Sequence, residues 1–125
     1  DWFKNTKSYF EKEDFYKIYI DYPREELIKR IGKRTEQMIK IGAINEVKRF
    51  IKLKVRKDKS VNKAIGIHEI KEYLEKRNDM SEVIEKISIK TRQYAKRQST
   101  WARGNMMSWL KLPPQDLNKF LKKIK

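Results

Sequence analysis

A chain of 125 residues is the size of one small domain. It carries 32 Lys and Arg against 17 Asp and Glu, and its net charge of +15 points to a polyanionic partner, although an acidic protein surface or an anionic membrane also fits. The lack of cysteine excludes disulfides and thiolate sites, no run reaches the ~18 apolar residues of a membrane span, and no charged-then-apolar leader opens the chain, so a soluble cytoplasmic protein is expected.

Residues 1–13 mix Trp2, Phe3, Tyr9 and Phe10 with charges but carry no capping signal, which reads as an irregular segment or a short helix packing onto something. Tyr16 to Tyr22 alternates, with Tyr16, Ile18, Ile20 and Tyr22 on one face and Lys17, Tyr19 and Asp21 on the other, the period of a strand. No second strand pattern follows. A lone strand leaves its backbone hydrogen bonds unmade, so the rest of its sheet is expected elsewhere. Hydrophobic residues make up only 38%, also thin for a free-standing core.

Pro23 suits the first position of a helix that runs to about Lys40 and stops at Gly42. Its apolar stripe is predicted at Leu27, Ile31, Met38 and Ile41, with Arg34 on the same stripe. A guanidinium there must either snorkel out to water or meet an anion. A second helix from Ala43 to about Val55 turns Ile44, Val47, Phe50 and Ile51 to one side, and residues 56–60 form a charged loop. In the segment 62–68, Gly66 permits close backbone approach, as a nucleotide requires, or a plain turn ahead of a helix over residues 69–76. His68 is the single histidine, so no multi-histidine metal site exists; it reads as a contact to the polyanionic partner or a surface residue.

Asp79 with Glu82 three residues on is a capping pattern for a long helix starting near Ser81. Along it Lys86, Lys90, Gln93, Arg97 and Thr100 form one stripe and Arg92, Lys96 and Arg103 the next, while Ile84, Ile87, Tyr94 and Trp101 recur on the side expected to face a core. Such a cationic face suits phosphate, and is otherwise a solvated helix surface. After Gly104 the pattern breaks, Pro113 and Pro114 mark a turn, and Asp116 can cap a last helix bearing Leu117, Phe120, Leu121 and Ile124, its basic end at Lys122, Lys123 and Lys125.

Residues 91–103 read TRQYAKRQSTWAR, which closely resembles the C-terminal motif T-R-x-[YL]-A-K-R-Q-x-T-W-x-R of the tRNA dimethylallyltransferases, or tRNA isopentenyltransferases. Upstream, Leu27, Arg30, Ile31, Arg34, Met38, Gly42, Glu46, Val47, Ala64, Ile65, Gly66, Glu69, Tyr73 and Leu74 resemble that family in the same order. After the Gly, the family has an aromatic residue and a base where this chain has Ile67 and His68.

The resemblance implies a mostly α chain forming one partial domain, the helical C-terminal part of a P-loop-type α/β fold with its strand near residues 16–22. It implies transfer of a dimethylallyl group from dimethylallyl diphosphate to N6 of the adenine next to the anticodon. Arg34 matches the second Arg of the family's R-I-x-x-R, which contacts the diphosphate. Lys63, Ala64, Ile65, Gly66, Ile67 and His68, and Lys96, Arg97, Gln98, Ser99, Thr100, Trp101, Ala102 and Arg103, match tRNA-binding segments. The family's Mg²⁺ has no ligands in these 125 residues, and neither the G-x-x-x-x-G-K-[ST] loop nor the catalytic Asp that follows it is found among them. The chain is therefore expected to be inactive alone and to have a missing N-terminal part as a possible partner. The competing reading is a stand-alone basic helical RNA-binding module without catalysis.

Overall fold

A computed structural model describes Lys7 and residues 9–124 of the chain. Of the sequence expectations, those on Trp2, Phe3 and Lys125 lie outside these residues. Strand β1 (Ile18–Ile20) leads into helices α1 (Arg24–Ile41), α2 (Ala43–Lys52), α3 (Ile67–Leu74) and the long α4 (Met80–Asn105). Strand β2 (Leu110–Leu112) and helix α5 (Leu117–Lys123) follow.

The second strand corrects the sequence reading. β2 pairs in parallel with β1, Ile18 against Leu110 and Ile20 against Leu112, so the strand's partner lies within this chain. Its signal is a bare Leu-Lys-Leu, too short for alternation to show. The ladder is extended by Leu110 N donating to Lys17 O and Asp21 N donating to Leu112 O, both at 2.9 Å. Parallel strands need a crossover, and here the crossover is the whole helical body.

Gly42 ends α1 at φ +131°, a region L side chains rarely adopt, and α2 starts at once from Ala43. α2 stops at Lys52, short of the expected Val55, because Lys54 turns left-handed at φ +48°. α3 begins two residues before the expected Glu69, directly after Gly66 at φ +105°. The Asp79 cap of α4 forms as expected: Glu82 N donates to Asp79 Oδ1 at 2.8 Å and Asp79 N to Glu82 Oε2 at 3.2 Å. Asp116 stands at the start of α5 but makes no side-chain cap bond; a 3₁₀ turn over Pro114–Asp116 leads the helix in.

The core gathers Ala43, Val47, Ile70, Val83 and Ile87, with Met38, Ile39, Ile44, Ile67, Tyr73 and Leu74 packed around it. α1 lies along α4, and α3 packs on the first half of α4. The predicted stripe of α1 holds at Ile31, which is buried, and at Leu27 and Met38, which are half-buried, but not at position 34 or Ile41. Ile31 and Thr35 are buried, Ile41 is 86% exposed and Arg34 is exposed. Thr35 takes the core position because it sits i+4 from Ile31, and its hydroxyl is satisfied by donating to Ile31 O at 2.9 Å. Arg34 leaves the core face and is open to solvent.

Candidate nucleic-acid interface

α4 presents two different surfaces along its 26 residues. Val83 and Ile87 fill the core in the first half; in the second half the inward positions are Thr91, Ala95, Ser99 and Ala102. Here α1 packs along the helix. Tyr94 and Trp101, expected in the core, are 52% and 58% exposed, correcting the predicted core side. Their spacing of seven does put them on one face; the sequence does not reveal that the Ala and Ser face, about 100° round the helix, is the buried one.

Charge pairing divides the helix in the same way. In the first half, Lys86 Nζ lies 3.4 Å from Glu72 Oε2 and Lys90 pairs with Glu69, both partners on α3. In the second half, Arg92, Lys96, Arg97 and Arg103 are exposed and have no acidic partner among the described residues. Arg103 Nη2 donates to Thr100 Oγ1 at 3.4 Å. A solvated face normally intersperses both signs. Four unpaired cations on one half-helix instead sum to a positive field suited to phosphate.

Two clefts open where the C-terminal end of β1 meets this half of α4, sharing Tyr19, Asp21, Tyr22, Leu27, Ala95 and Ser99 as walls. One, of about 570 Å³, adds Arg97, Gln98 and Trp101, and the other, of about 700 Å³, adds Arg24, Arg92, Gln93, Lys96, Arg103 and Lys111. The first offers an exposed indole beside an amide and a guanidinium, groups that stack on a base and bond its edge. The second is cationic with the one carboxylate of Asp21. Tyr22 is fixed in the shared wall by Arg30, whose Nη1 donates to the phenol oxygen at 2.9 Å and whose Cζ lies 4.9 Å from the ring centroid.

The other predicted segment, residues 63–68, sits at the α3 end of the same helix. Lys63, Ala64, Ile65 and His68 are exposed and Ile67 is half-buried. A Cβ on Gly66 would meet Ile87 Cδ1 at 3.6 Å, an ordinary contact, so the positive φ rather than lack of space demands glycine. Gly66 is itself buried, its O accepting from Ile70 N at 3.0 Å and its N donating to Glu69 Oε2 at 2.9 Å. Gly66 and Ala102 thus turn inward, while their neighbours carry the exposed groups. The structure does not merge the two segments. Gly66 packs at the level of Ile87, and Lys96 to Arg103 lie roughly 14–24 Å further along α4 at 1.5 Å per residue. Arg34 lines neither cleft.

Sequence reasoning missed what ties residues 63–68 to α4, although Glu at the third position after Gly66 has capping spacing. Glu69 is 2% exposed. Burial alone would push its carboxyl up, but the bond from Lys90, its own backbone N–H, the Gly66 N–H and the Lys90 charge outweigh that and hold it below the ordinary 4.5. A lowered folded value means the stabilisation is present above the unfolded pKa and is lost as pH falls through the folded one. Glu69→Gln is therefore expected to flatten the fall of Tm as pH drops below the ordinary 4.5. Part of the slope remains with Glu72, also held low by its hydrogen bond from Asn78. An unchanged Tm profile would show that the pair contributes nothing to stability.

The sequence pattern of the IPP transferase family matches residues 1–105. A tRNA dimethylallyltransferase of Pelagibacter ubique is 54% identical over all of this chain and 40% of its own length, and one of Halothermothrix orenii is 39% identical over 96% of this chain and 39% of its own. The crystal structure of a tRNA isopentenylpyrophosphate transferase from Staphylococcus epidermidis superposes with a TM-score of 0.75 at 30% identity, over 89% of this chain and 38% of that one. The Bacillus halodurans counterpart gives 0.74 at 30% identity, over 98% and 40%. No helix among the described residues is long and apolar enough to cross a membrane. The chain belongs to the IPP transferase family and spans about two fifths of the length of the tRNA dimethylallyltransferases it matches.

Proposed function

We propose that this chain is the tRNA-holding C-terminal part of a tRNA dimethylallyltransferase, folded as one partial domain. The observation that carries this reading is the unpaired cationic half of α4, which coincides with the TRQYAKRQSTWAR segment and faces two clefts at a strand's C-terminal end. In the reaction, the adenine N6 attacks C1 of the dimethylallyl group, the C–O bond to diphosphate breaks, and N6 loses a proton. The base must leave its stack to be reached. Residues 96–103 and 63–68 hold the anticodon loop, Trp101 and Gln98 offering a stacking face and an amide, and Arg97 and Arg103 taking phosphates. Arg34, exposed on α1, stabilises the departing diphosphate.

No group of three or more His, Asp or Glu that could hold a metal ion occurs among the described residues, and the residues named here bind and stabilise charge. The phosphate loop and the proton-accepting Asp belong to the remainder of the enzyme. Incubated with tRNA and dimethylallyl diphosphate, the 125-residue chain alone is expected to yield no prenylated adenosine by mass spectrometry of nuclease digests. Measurable turnover would contradict the division of labour.

A further inference from the structure

Resting on the RNA-binding reading above, we propose that the turn between α2 and α3 is a second RNA-binding surface, one that grips the backbone of a double-stranded stem beside the loop held by α4. Residues 48–63 carry eight Lys and Arg against one Asp, so these 16 positions supply +7 of the chain's +15. Arg56 and Asp58 neutralise each other in a bidentate pair at 3.1 Å. Lys54, Lys57 and Lys59 remain exposed, without acidic partners among the described residues.

The turn is also held in shape. Lys54 reverses the chain at φ +48°. Lys59 N donates to Arg56 O and Asn62 N to Lys59 O, each at 3.1 Å. The Asn62 side-chain amide closes the turn, its Nδ2 donating to Arg56 O at 2.7 Å and Lys59 O at 3.2 Å. Ordering the backbone beforehand lowers the entropic cost of presenting these charges to a partner.

What the turn lacks identifies what it binds. Residues 53–63 contain no aromatic, Gln or His, and their one amide side chain is spent on the turn itself. The rings that stack on bases and the free amides that read their edges are therefore lacking, Arg56 is taken up by Asp58, and phosphate attraction from the lysines dominates. That is how duplex RNA is recognised, whereas single-stranded loops are read by stacking and amides of the kind Trp101 and Gln98 offer. The turn also runs directly into Lys63, the start of the loop-facing segment.

The test compares an anticodon stem-loop RNA with a single-stranded oligomer of the loop sequence alone, by fluorescence anisotropy on the 125-residue chain. The triple variant K54Q/K57Q/K59Q should bind the stem-loop about 10-fold or more weakly at 0.15 M salt, with the slope of log affinity against log salt shallower by about 2–3. Its affinity for the loop oligomer should change by less than about 3-fold. K119Q/K122Q/K123Q removes the same charge from α5 and should leave the stem-loop preference intact, and far-ultraviolet dichroism checks that both variants fold. Equal losses on the two RNAs, a loss matched by the α5 variant, or no loss would overturn the proposal. Leu53 and Val61 are 71% and 45% exposed beside these lysines, so vesicles with anionic lipid are run in parallel. Vesicle binding that the triple variant abolishes while stem-loop affinity stays unchanged would make the turn a membrane contact instead. R97A/R103A, weakening both RNAs, reports separately on the α4 reading.

Discussion

Arg34→Ala in the complete enzyme is expected to lower turnover by roughly 10²–10³, the usual cost of removing a preorganised group that stabilises charge developing in the transition state. Affinity for tRNA should stay within about 3-fold, because Arg34 lies on α1 and lines neither cleft beside the cationic half of α4. Its exposure makes this a clean measurement. No hydrogen bond or ion pair ties Arg34 to the other described residues, so truncation should change stability by less than about 0.5 kcal/mol. A drop in turnover then cannot be ascribed to unfolding. Weakened tRNA binding at unchanged turnover would make Arg34 another RNA contact and end the diphosphate assignment.

The second large effect is expected from neutralising Arg97 and Arg103 together. Each phosphate contact made by an unpaired cation releases a counterion worth roughly a 4–5-fold gain at 0.15 M salt, so losing two should weaken tRNA binding by roughly 10–30-fold. Lys86 and Lys90 supply the contrast. They lie on the same helix but face Glu72 and Glu69 on α3, and their charge is already answered within the protein. Lys86→Gln should therefore weaken tRNA binding by less than about 2-fold. Comparable losses at Lys86 and at Arg97 would mean that net charge alone, and no particular face, drives binding.

Much of this arrangement was legible in the residues, and where it was not the reason is physical. The Asp79–Glu82 cap, the Gly42 stop and the α4 cation stripes follow from local rules of spacing and dihedral angle, and each forms. Arg34 and Thr35 show the limit of periodicity. A stripe drawn through apolar residues passes through position 34, yet i+4 packing puts a threonine in the core because its hydroxyl bonds Ile31 O. β2 was illegible because three residues make no period, and its pairing depends on a partner some ninety positions away. The exposure of Tyr94 and Trp101 likewise depends on which face of α4 the helix α1 packs along, a tertiary fact. The family resemblance named the residues of the candidate site, but not that Gly66 and Ala102 turn inward, nor that Glu69 ties the 63–68 segment to α4 through Lys90.

The account stands on the claim that the second half of α4 meets RNA phosphate directly, and the salt dependence of tRNA binding tests that most closely. Affinity of the chain for tRNA should fall linearly with the logarithm of salt concentration, and R97A/R103A should make that slope shallower by about 1.4–1.8, the loss of two counterion-releasing contacts. An unchanged slope in the double variant would place the RNA elsewhere on the protein.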